Sequence, residues 1–298
     1  MSESAEKTTN GTAKPVYRES TWGQIVWQRF RKHRLAVTGL VIITVLYAIA
    51  VFAPWVAPYD PTDIDPDNRL EKPSAAHPMG LDEVGRDVMS RVIWGARISM
   101  TIGFVAAGIS LVLGVFLGAV AGYYGGKVDN VIMRVVDVLM SVPTFLLIIA
   151  IVAVVGPSIT NVMIVIGLTY WSSYARVVRG TVLSLRSMDF VEAARACGNS
   201  SLRIILKHVL PNCFAPVIVM ATLNVAGSIL LETSLSFLGF GVQPPDPSWG
   251  NILTTGRQYM RHAPHIALFP GMAISITVLA FNLLGDGLRD ALDPRLNV

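Results

Sequence analysis

Charged residues are scarce in this 298-residue chain: Asp, Glu, Lys and Arg together make up 15% of it, whereas hydrophobic residues make up 52%. A soluble domain usually carries about 25% charged residues. The scarcity is concentrated in long apolar runs, which indicates an integral membrane protein and argues against a soluble domain. The runs span residues 35–57, 98–120, 138–155, 158–174, 214–238 and 266–285.

Motifs for catalysis or cofactor binding are also missing from the sequence. The two cysteines, Cys197 and Cys213, have no CxxC or Cys/His spacing, and no disulfide is expected on the cytoplasmic side where both are predicted to lie. The nearest approach to a phosphate-binding loop, at Gly126, has Ala121 in place of the first glycine and Val128 in place of Ser or Thr. We therefore predict no enzymatic activity, no ATP hydrolysis and no cofactor for this chain.

His262 and His265, spaced i, i+3 in a predicted outer loop, are the histidine pair whose spacing suits a metal ion. Exposed loop histidines near the membrane are the favoured interpretation, and no metal site is predicted. The formal net charge is +4, but the sequence shows no basic face with aromatic residues that could stack on bases. Nucleic acid is therefore not an expected partner.

The distribution of Lys and Arg predicts how the apolar runs cross the membrane. A spanning helix needs roughly 20 mainly apolar residues. All six runs are assigned as spans, although 138–155 is short and 158–174 is diluted by Thr, Asn and Ser. Gly156-Pro157 between these two predicts a tight helical hairpin. With both termini inside, 17 of the 24 Lys and Arg residues face the cytoplasm, in agreement with the positive-inside rule.

The predicted fold class is therefore an all-α membrane protein with six transmembrane helices and both termini in the cytoplasm. A polar cytoplasmic loop joins spans four and five. Residues 1–20 lack apolar periodicity, which predicts a disordered tail. The predicted segments are a cytoplasmic tail with a basic juxtamembrane cluster at 1–34, a first transmembrane helix at 35–57, an extracytoplasmic loop at 58–97, a five-helix core at 98–290 and a cytoplasmic C-terminus at 291–298.

The polar loop at residues 186–212 has a pattern of its own. Its first half predicts a short helix with Asp189 as the N-cap. The apolar stripe of that helix follows i, i+3, i+4, i+7 spacing and comprises Phe190, Ala193, Ala194 and Cys197. Gly198 is predicted to end the helix in the left-handed conformation.

A second amphipathic helix is predicted after Gly198. Ser200 or Ser201 would cap it, and Pro211 would end it. Its apolar positions are Leu202, Ile205, Leu206, Val209 and Leu210. A linker that merely lies on lipid headgroups is the alternative, but the small pair Ala193 and Ala194 favours close approach by a protein partner.

The string Glu192-Ala193-Ala194-x-x-x-Gly198, followed by Leu210-Pro211, resembles the EAA loop of permease subunits of bacterial ABC importers. The resemblance implies that loop 186–212 forms coupling helices that dock on cytoplasmic ATPases, with Glu192, Ala193, Ala194 and Gly198 as coupling residues. The general pattern has an apolar residue where this chain has His208. The form His208-Val209-Leu210-Pro211-Asn212 is similar to the peptide-transport branch.

Four other motifs resemble the second, "C-type" permease of dipeptide, oligopeptide and nickel importers, and the resemblance covers roughly residues 20–298. The motifs are Met79–Asp87, Ala121–Gly126, Ser236–Gly241 and Asn282–Pro294. The resemblance implies a multi-pass protein of the bacterial inner membrane that imports di- or oligopeptides. Nickel, a metal chelate or a glutathione-like solute is the alternative substrate.

The same resemblance implies the partners. They are a second homologous permease, two ATPase subunits, an extracytoplasmic substrate-binding protein and membrane lipid. A secondary transporter is the rival from a different class of protein. Such transporters often contain inverted repeats and mid-membrane carboxylates, and here no repeat is evident between residues 35–155 and 158–285.

Glu232 is the carboxylate well inside the fifth predicted span, and Asn224 lies eight residues before it. Intramembrane ionisable groups are functional candidates by default, so both residues are candidates for the translocation path. A structural hydrogen bond to a neighbouring helix is the alternative for Glu232. Arg134 and Asp137 are spaced to pair with each other. Close helix packing is predicted at Gly103, Gly108, Gly114, Gly118 and Gly122.

Overall fold

The computed structural model describes residues 22–293, a bundle whose regular secondary structure in that range is helical. Residues 1–21 and 294–298, which include the predicted polar tail and the end of the predicted C-terminal segment, lie outside the described residues. The helices are α1 (Trp22–Lys32), α2 (Arg34–Val51), α3 (Ala53–Val56), α4 (Val88–Tyr124), α5 (Gly126–Ser141), α6 (Thr144–Val155), α7 (Ile159–Leu185), α8 (Asp189–Ala196), α9 (Ser201–Ile204), α10 (Leu210–Phe237), α11 (Trp249–Gln258) and α12 (His265–Leu292).

Four helical segments in the described range are long and apolar enough to cross a membrane, and a bent pair makes up to five. The four are α2, α4, the segment Ser201–Phe237 and α12, and the bent pair is α5 with α6. All six predicted apolar runs coincide with helices. The run at 158–174 forms most of α7, which is 27 residues long and is not among the candidates.

The predicted span at residues 138–155 is not one continuous helix. α5 and α6 meet at an angle of 90° across Val142 and Pro143. Val142 is extended, with φ −97° and ψ 135°, because the ring of a following proline disfavours helical backbone at the residue before it. The hairpin predicted after α6 is confirmed: α6 ends at Val155, Gly156 has φ +90°, and α7 begins at Ile159.

α4 and α7 pack closely along much of their length, and glycines of α4 make this possible. A Cβ atom on Gly118 would lie 2.6 Å from the backbone oxygen of Ala175, and one on Gly122 would lie 2.9 Å from that of Arg179. Small residues let helix backbones approach in this way. Gly108 is the exception among the predicted packing glycines, since a Cβ atom there would meet nothing within 4 Å.

Pro211 does not end the helix that precedes α10, so that prediction was wrong. α9 continues through a five-residue π-helical turn, Ile205–Val209, into α10. Within this turn the amide of Leu210 donates to the carbonyl of Ile205, five residues back. The wider π register lets Pro211 enter at the first turn of α10, where a missing backbone N–H costs little.

The segment between α3 and α4 is held by buried charges. Asp82 is buried, and its Oδ1 accepts backbone N–H bonds from Val84 and Arg86. Its Oδ2 accepts a bond of 2.7 Å from Nε of Arg86 and lies 3.4 Å from Nε of Arg91. Burial and the neighbouring Asp82 carboxylate raise the pKa of Glu83. This network fixes the beginning of α4.

His265 is buried at the beginning of α12, so the prediction that it is an exposed loop histidine was wrong. Its Nε2 lies 3.2 Å from the carbonyl oxygen of Leu81, which ties α12 to the segment before α4. No cluster of three or more His, Cys, Asp and Glu side chains in residues 22–293 is arranged to hold a metal ion.

Candidate docking surface and substrate path

The helix that carries Glu192, Ala193 and Ala194 is α8. Its N-cap residue is Met188, whose side chain makes no capping hydrogen bond. The prediction of Asp189 as N-cap was therefore wrong by one residue. Asp189 and Glu192 lie in the first turn instead, where negative side chains are stabilised by the positive end of the helix dipole.

Gly198 ends α8 in the predicted left-handed conformation, with φ +77°. The amide of Asn199 donates to the carbonyl of Ala194, and the amide of Gly198 donates to that of Arg195. These two bonds form a Schellman motif, which satisfies carbonyls that the helix end leaves free. Ser200 occupies the N-cap position of α9 without a side-chain cap bond.

The predicted apolar stripe of α8 is divided between two faces. Ala194 is buried, as is Val191, whereas Phe190, Ala193 and Cys197 are exposed. Of the predicted stripe, Ala194 therefore packs inside the chain, and Phe190, Ala193 and Cys197 remain on the surface. Val191 and Ala194 share a core cluster with Ile204, Ile205, Val209, Val178 and Val182. α8 and α9 thus pack onto the ends of α7 and α10.

The exposed side chains of α8, α9 and the π-helical turn include a set, hereafter the loop surface, that is mostly apolar. It comprises Phe190, Glu192, Ala193, Leu202 and Leu206. Leu202 is 61% exposed and Leu206 is 55% exposed. Arg203 and Lys207 are also exposed on α9 and the π-helical turn. Apolar residues grouped on a surface and rimmed by charges are typical of a protein–protein contact site.

Two arginines connect the loop 186–212 to α4. The guanidinium of Arg186 donates to the carbonyl of Gly122 over 3.3 Å. The guanidinium of Arg195 lies over the ring of Tyr123, 6.0 Å from its centre. α8 and the end of α7 are therefore in direct contact with the end of α4.

Glu232 is fully buried near the end of α10. Its Oε1 accepts hydrogen bonds from Oγ of Ser236 at 2.8 Å and from Oγ of Ser248 at 2.9 Å. Its Oε2 has no hydrogen-bond partner among residues 22–293. Ser248 is the N-cap of α11, so Glu232 holds α11 against α10.

Asn224 lies apart from Glu232. It is half-buried, and its Oδ1 accepts a bond of 3.1 Å from Ser228. The structure therefore does not join the two candidate path residues in one contact network. Their assignment to the translocation path stays a prediction.

The acidic residues of α5 pair with α7. Asp129 receives two bonds from Arg179, at 2.5 Å and 2.6 Å, and Asp137 receives one of 2.6 Å from Arg176. The predicted pair of Arg134 with Asp137 was wrong, because Arg176 occupies the carboxylate. The arginines lie 39 and 50 residues away in sequence, so local spacing contained no indication of these partners.

Family models match most of the chain. Residues 114–298 match the model described as "binding-protein-dependent transport system inner membrane component". Residues 20–73 match the model described as "N-terminal TM domain of oligopeptide transport permease C". The chain belongs to this family of ABC transporter permeases. It is accordingly a multi-pass protein of the inner membrane.

Two relatives cover nearly the whole chain. The dipeptide transport system permease protein DppC of Alkalihalophilus pseudofirmus is 45% identical over 93% of this chain and 91% of its own length. The glutathione transport system permease protein GsiD of Escherichia coli is 46% identical over 95% of this chain and 93% of its own length. The family assignment from the EAA loop is confirmed.

The fold also has a solved counterpart. A structure of the MetNI methionine ABC transporter in an inward-facing conformation superposes with a TM-score of 0.54 and 19% identity, covering 69% of this chain and 98% of the other. At this identity the likeness concerns the fold alone.

Proposed function

We propose that the chain is one of two permeases in an ATP-driven importer of small peptide-like solutes, either di- and oligopeptides or glutathione. The observation that best supports this proposal is the loop surface, a group of exposed, mostly apolar residues on a short helix pair that packs against α4 and α7. The names of the relatives support the substrate class, and the two names weigh equally. Nickel or a metal chelate is the remaining alternative from the sequence.

The proposed topology has six spans with both termini in the cytoplasm. α7 would be the sixth span, in addition to the four candidate segments and the bent pair. Its buried hydroxyls support this, because Thr169 and Ser172 donate to backbone carbonyls of α7 itself, at 2.7 Å and 3.1 Å. Such bonds remove much of the cost of placing a hydroxyl in the membrane. The loop surface would then face the cytoplasm.

Coupling would proceed through the loop 186–212. In this proposal Glu192 and Ala193 contact a cytoplasmic ATPase, and Ala193 lets the two surfaces come close. The buried Ala194 packs α8 onto the ends of α7 and α10, and Gly198 sets the turn between α8 and α9. Nucleotide binding would shift the permease between inward- and outward-open states only if the ATPases hold the loop surface differently in those two states. The expected partners are a second homologous permease, two ATPases and an extracytoplasmic binding protein.

Reconstitution of the co-purified complex into liposomes tests the function. The tagged chain is isolated from native membranes in mild detergent, and uptake of a labelled dipeptide, glutathione and nickel is measured with and without ATP. ATP-dependent accumulation of the dipeptide or of glutathione supports the proposal and selects between them. Transport driven by an ion gradient through the purified chain alone would favour a secondary transporter.

Gly198 provides the test of coupling. Replacing it with Val places a β-branched residue at φ +77°, where an L-residue costs roughly 1–2 kcal/mol. No atom lies within 4 Å of an added Cβ, so the strain is confined to the backbone. We expect Gly198→Val to lower uptake per ATP hydrolysed, while Gly198→Asn, which tolerates this conformation, stays near wild type. Equal coupling in Gly198→Val and the parent would contradict the docking role.

A further inference from the structure

Most of the polar side chains of α5 lie on one stripe, which begins at the exposed Lys127, whereas Asp129 lies on the buried side of the helix. Asn130, Arg134, Asp137 and Ser141 follow i, i+4, i+7, i+11 spacing, which places them on one stripe of the helix. All four residues are exposed. This polar stripe runs from the first turns of α5 to the bend at Val142 and Pro143.

A second stripe of α5 is apolar and equally unpartnered. It consists of Val128, Val131, Val135 and Val138, spaced i, i+3, i+7, i+10, and all four valines are exposed. The side of α5 that packs against α4 and α7 is a third one, which includes the buried Asp129 and Val136. α5 thus separates exposed polar groups from exposed apolar groups.

This separation has a physical meaning in a membrane. α5 and α6 together form a bent pair that enters the membrane either as a broken span or as a re-entrant loop. Polar side chains within a span face the interior of a bundle or a water-filled cavity, because exposing them to lipid is costly. Val128 and Val138 of the valine stripe suit lipid or the second permease, whereas the polar stripe needs water or a polar ligand.

Arg134 is the cation of the stripe that lacks an acidic partner. Asp129 and Asp137 are both engaged by arginines of α7. Arg134 makes no hydrogen bond or ion pair with any other residue in the part of the chain that the structure describes. It borders an open cleft of about 610 Å³ along the surface of α5, whose lining consists of residues of that helix, namely Asn130, Val131, Met133, Arg134, Val135 and Asp137.

We propose that the polar stripe of α5 lines the substrate path and that Arg134 binds the carboxylate of the substrate as it passes. This inference rests on the proposed function and names the contact within it. Guanidinium groups bind carboxylates through directed, charge-assisted hydrogen bonds. Dipeptides, oligopeptides and glutathione all carry a free carboxylate, and the exposed amide of Asn130 lies one turn away for a peptide group.

The test removes the positive charge at position 134 in the reconstituted complex and then attaches either a positive or a negative group there. The parent carries Cys197→Ala, because Cys197 is exposed, whereas Cys213 is buried. In this parent Arg134→Cys removes the guanidinium. One methanethiosulfonate reagent then attaches an ammonium group to the new thiol, and another attaches a sulfonate. The matched control is Lys127→Cys, which removes a cation from the same helix outside the cleft.

We expect Arg134→Cys to lower uptake of the transported dipeptide or glutathione about tenfold, the effect of losing one charge-assisted hydrogen bond. The ammonium reagent should recover most of that loss, and the sulfonate reagent should not. Lys127→Cys should stay within about twofold of the parent. Equal responses to both reagents, or an equal loss in Lys127→Cys, would overturn the role of Arg134.

Labelling rates test the path independently of transport. In inside-out vesicles of the complex, a membrane-impermeant thiol reagent should modify Asn130→Cys and Ser141→Cys faster than Val128→Cys, and bound substrate should slow the first two. Faster labelling on the valine stripe would refute the placement of the path. Absence of ATP-dependent uptake in the unmodified complex would instead count against the proposed function, and that result appears before any variant is made.

Discussion

The close contact between α4 and α7 gives a prediction that is tested by comparing two glycine substitutions within α4. Gly118 and Gly108 both lie inside α4, two to three turns apart. A Cβ atom at Gly118 would lie 2.6 Å from the backbone oxygen and 2.9 Å from the Cα atom of Ala175, whereas one at Gly108 would meet nothing within 4 Å. Gly118→Ala should therefore push the two helices apart, and Gly108→Ala should not.

Two free-energy terms decide the expected difference: the helix propensity of alanine, which is the same for both variants, and overpacking, which affects one of them. Both substitutions gain the helix propensity of alanine over glycine, about 1 kcal/mol. Only Gly118→Ala overpacks a helix contact, and overpacking costs typically about 1–3 kcal/mol. The two variants should therefore differ in the free energy of unfolding by about 1–3 kcal/mol. By the scaling known for soluble domains, this corresponds to a Tm difference of roughly 2–12 °C.

Thermal unfolding of the purified complex in mild detergent measures this difference. Gly118→Ala should unfold at the lower temperature, and its uptake should fall with the amount of folded protein. The reasoning would be refuted if Gly118→Ala and Gly108→Ala unfolded at the same temperature, because α4 and α7 would then not be in backbone contact at Ala175.

Two further predictions concern the ion pairs and Glu232. Asp129→Asn should lower the free energy of unfolding by about 1–3 kcal/mol, because the Asp129 side chain is only 12% exposed. Asp137→Asn should lower it by less than about 1 kcal/mol, because the Asp137 side chain is 57% exposed. Equal Tm values for the two variants would contradict this reasoning. Glu232→Gln keeps the oxygen that accepts from Ser236 and Ser248, so we expect normal stability, whereas Glu232→Leu should cost about 1–3 kcal/mol. Lower uptake of Glu232→Gln at normal Tm would show that the carboxylate serves the path.

The apolar runs predicted where helices form, because lipid-facing and buried helix surfaces are both rich in apolar residues. α7 was the weakest of these predictions. Its Thr169 and Ser172 bond to carbonyls of their own helix, so composition understated how well it suits a buried position. The bend before α6 was detectable from Pro143, since the residue before a proline avoids the helical region.

The loop 186–212 shows where the prediction of a site from local sequence stops. Gly198 was predictable because a helix end with a left-handed residue favours glycine. The faces of α8 were not, because Val191 rather than Phe190 packs onto α7 and α10. The polar stripe of α5 was present in the sequence as regular spacing, but only the exposed surface of α5 distinguished it from a packed helix face.

The sequence by itself determined the membrane class, the helical segments, the glycine that ends α8 and membership in the permease family. All of these depend on the composition or local pattern of neighbouring residues. Only the tertiary structure decided which arginines of α7 neutralise Asp129 and Asp137, and that Arg134 is left without an acid. It also decided that Glu232 is enclosed by Ser236 and Ser248. Such pairings depend on how distant helices lie against one another, and no spacing along the chain encodes that arrangement directly.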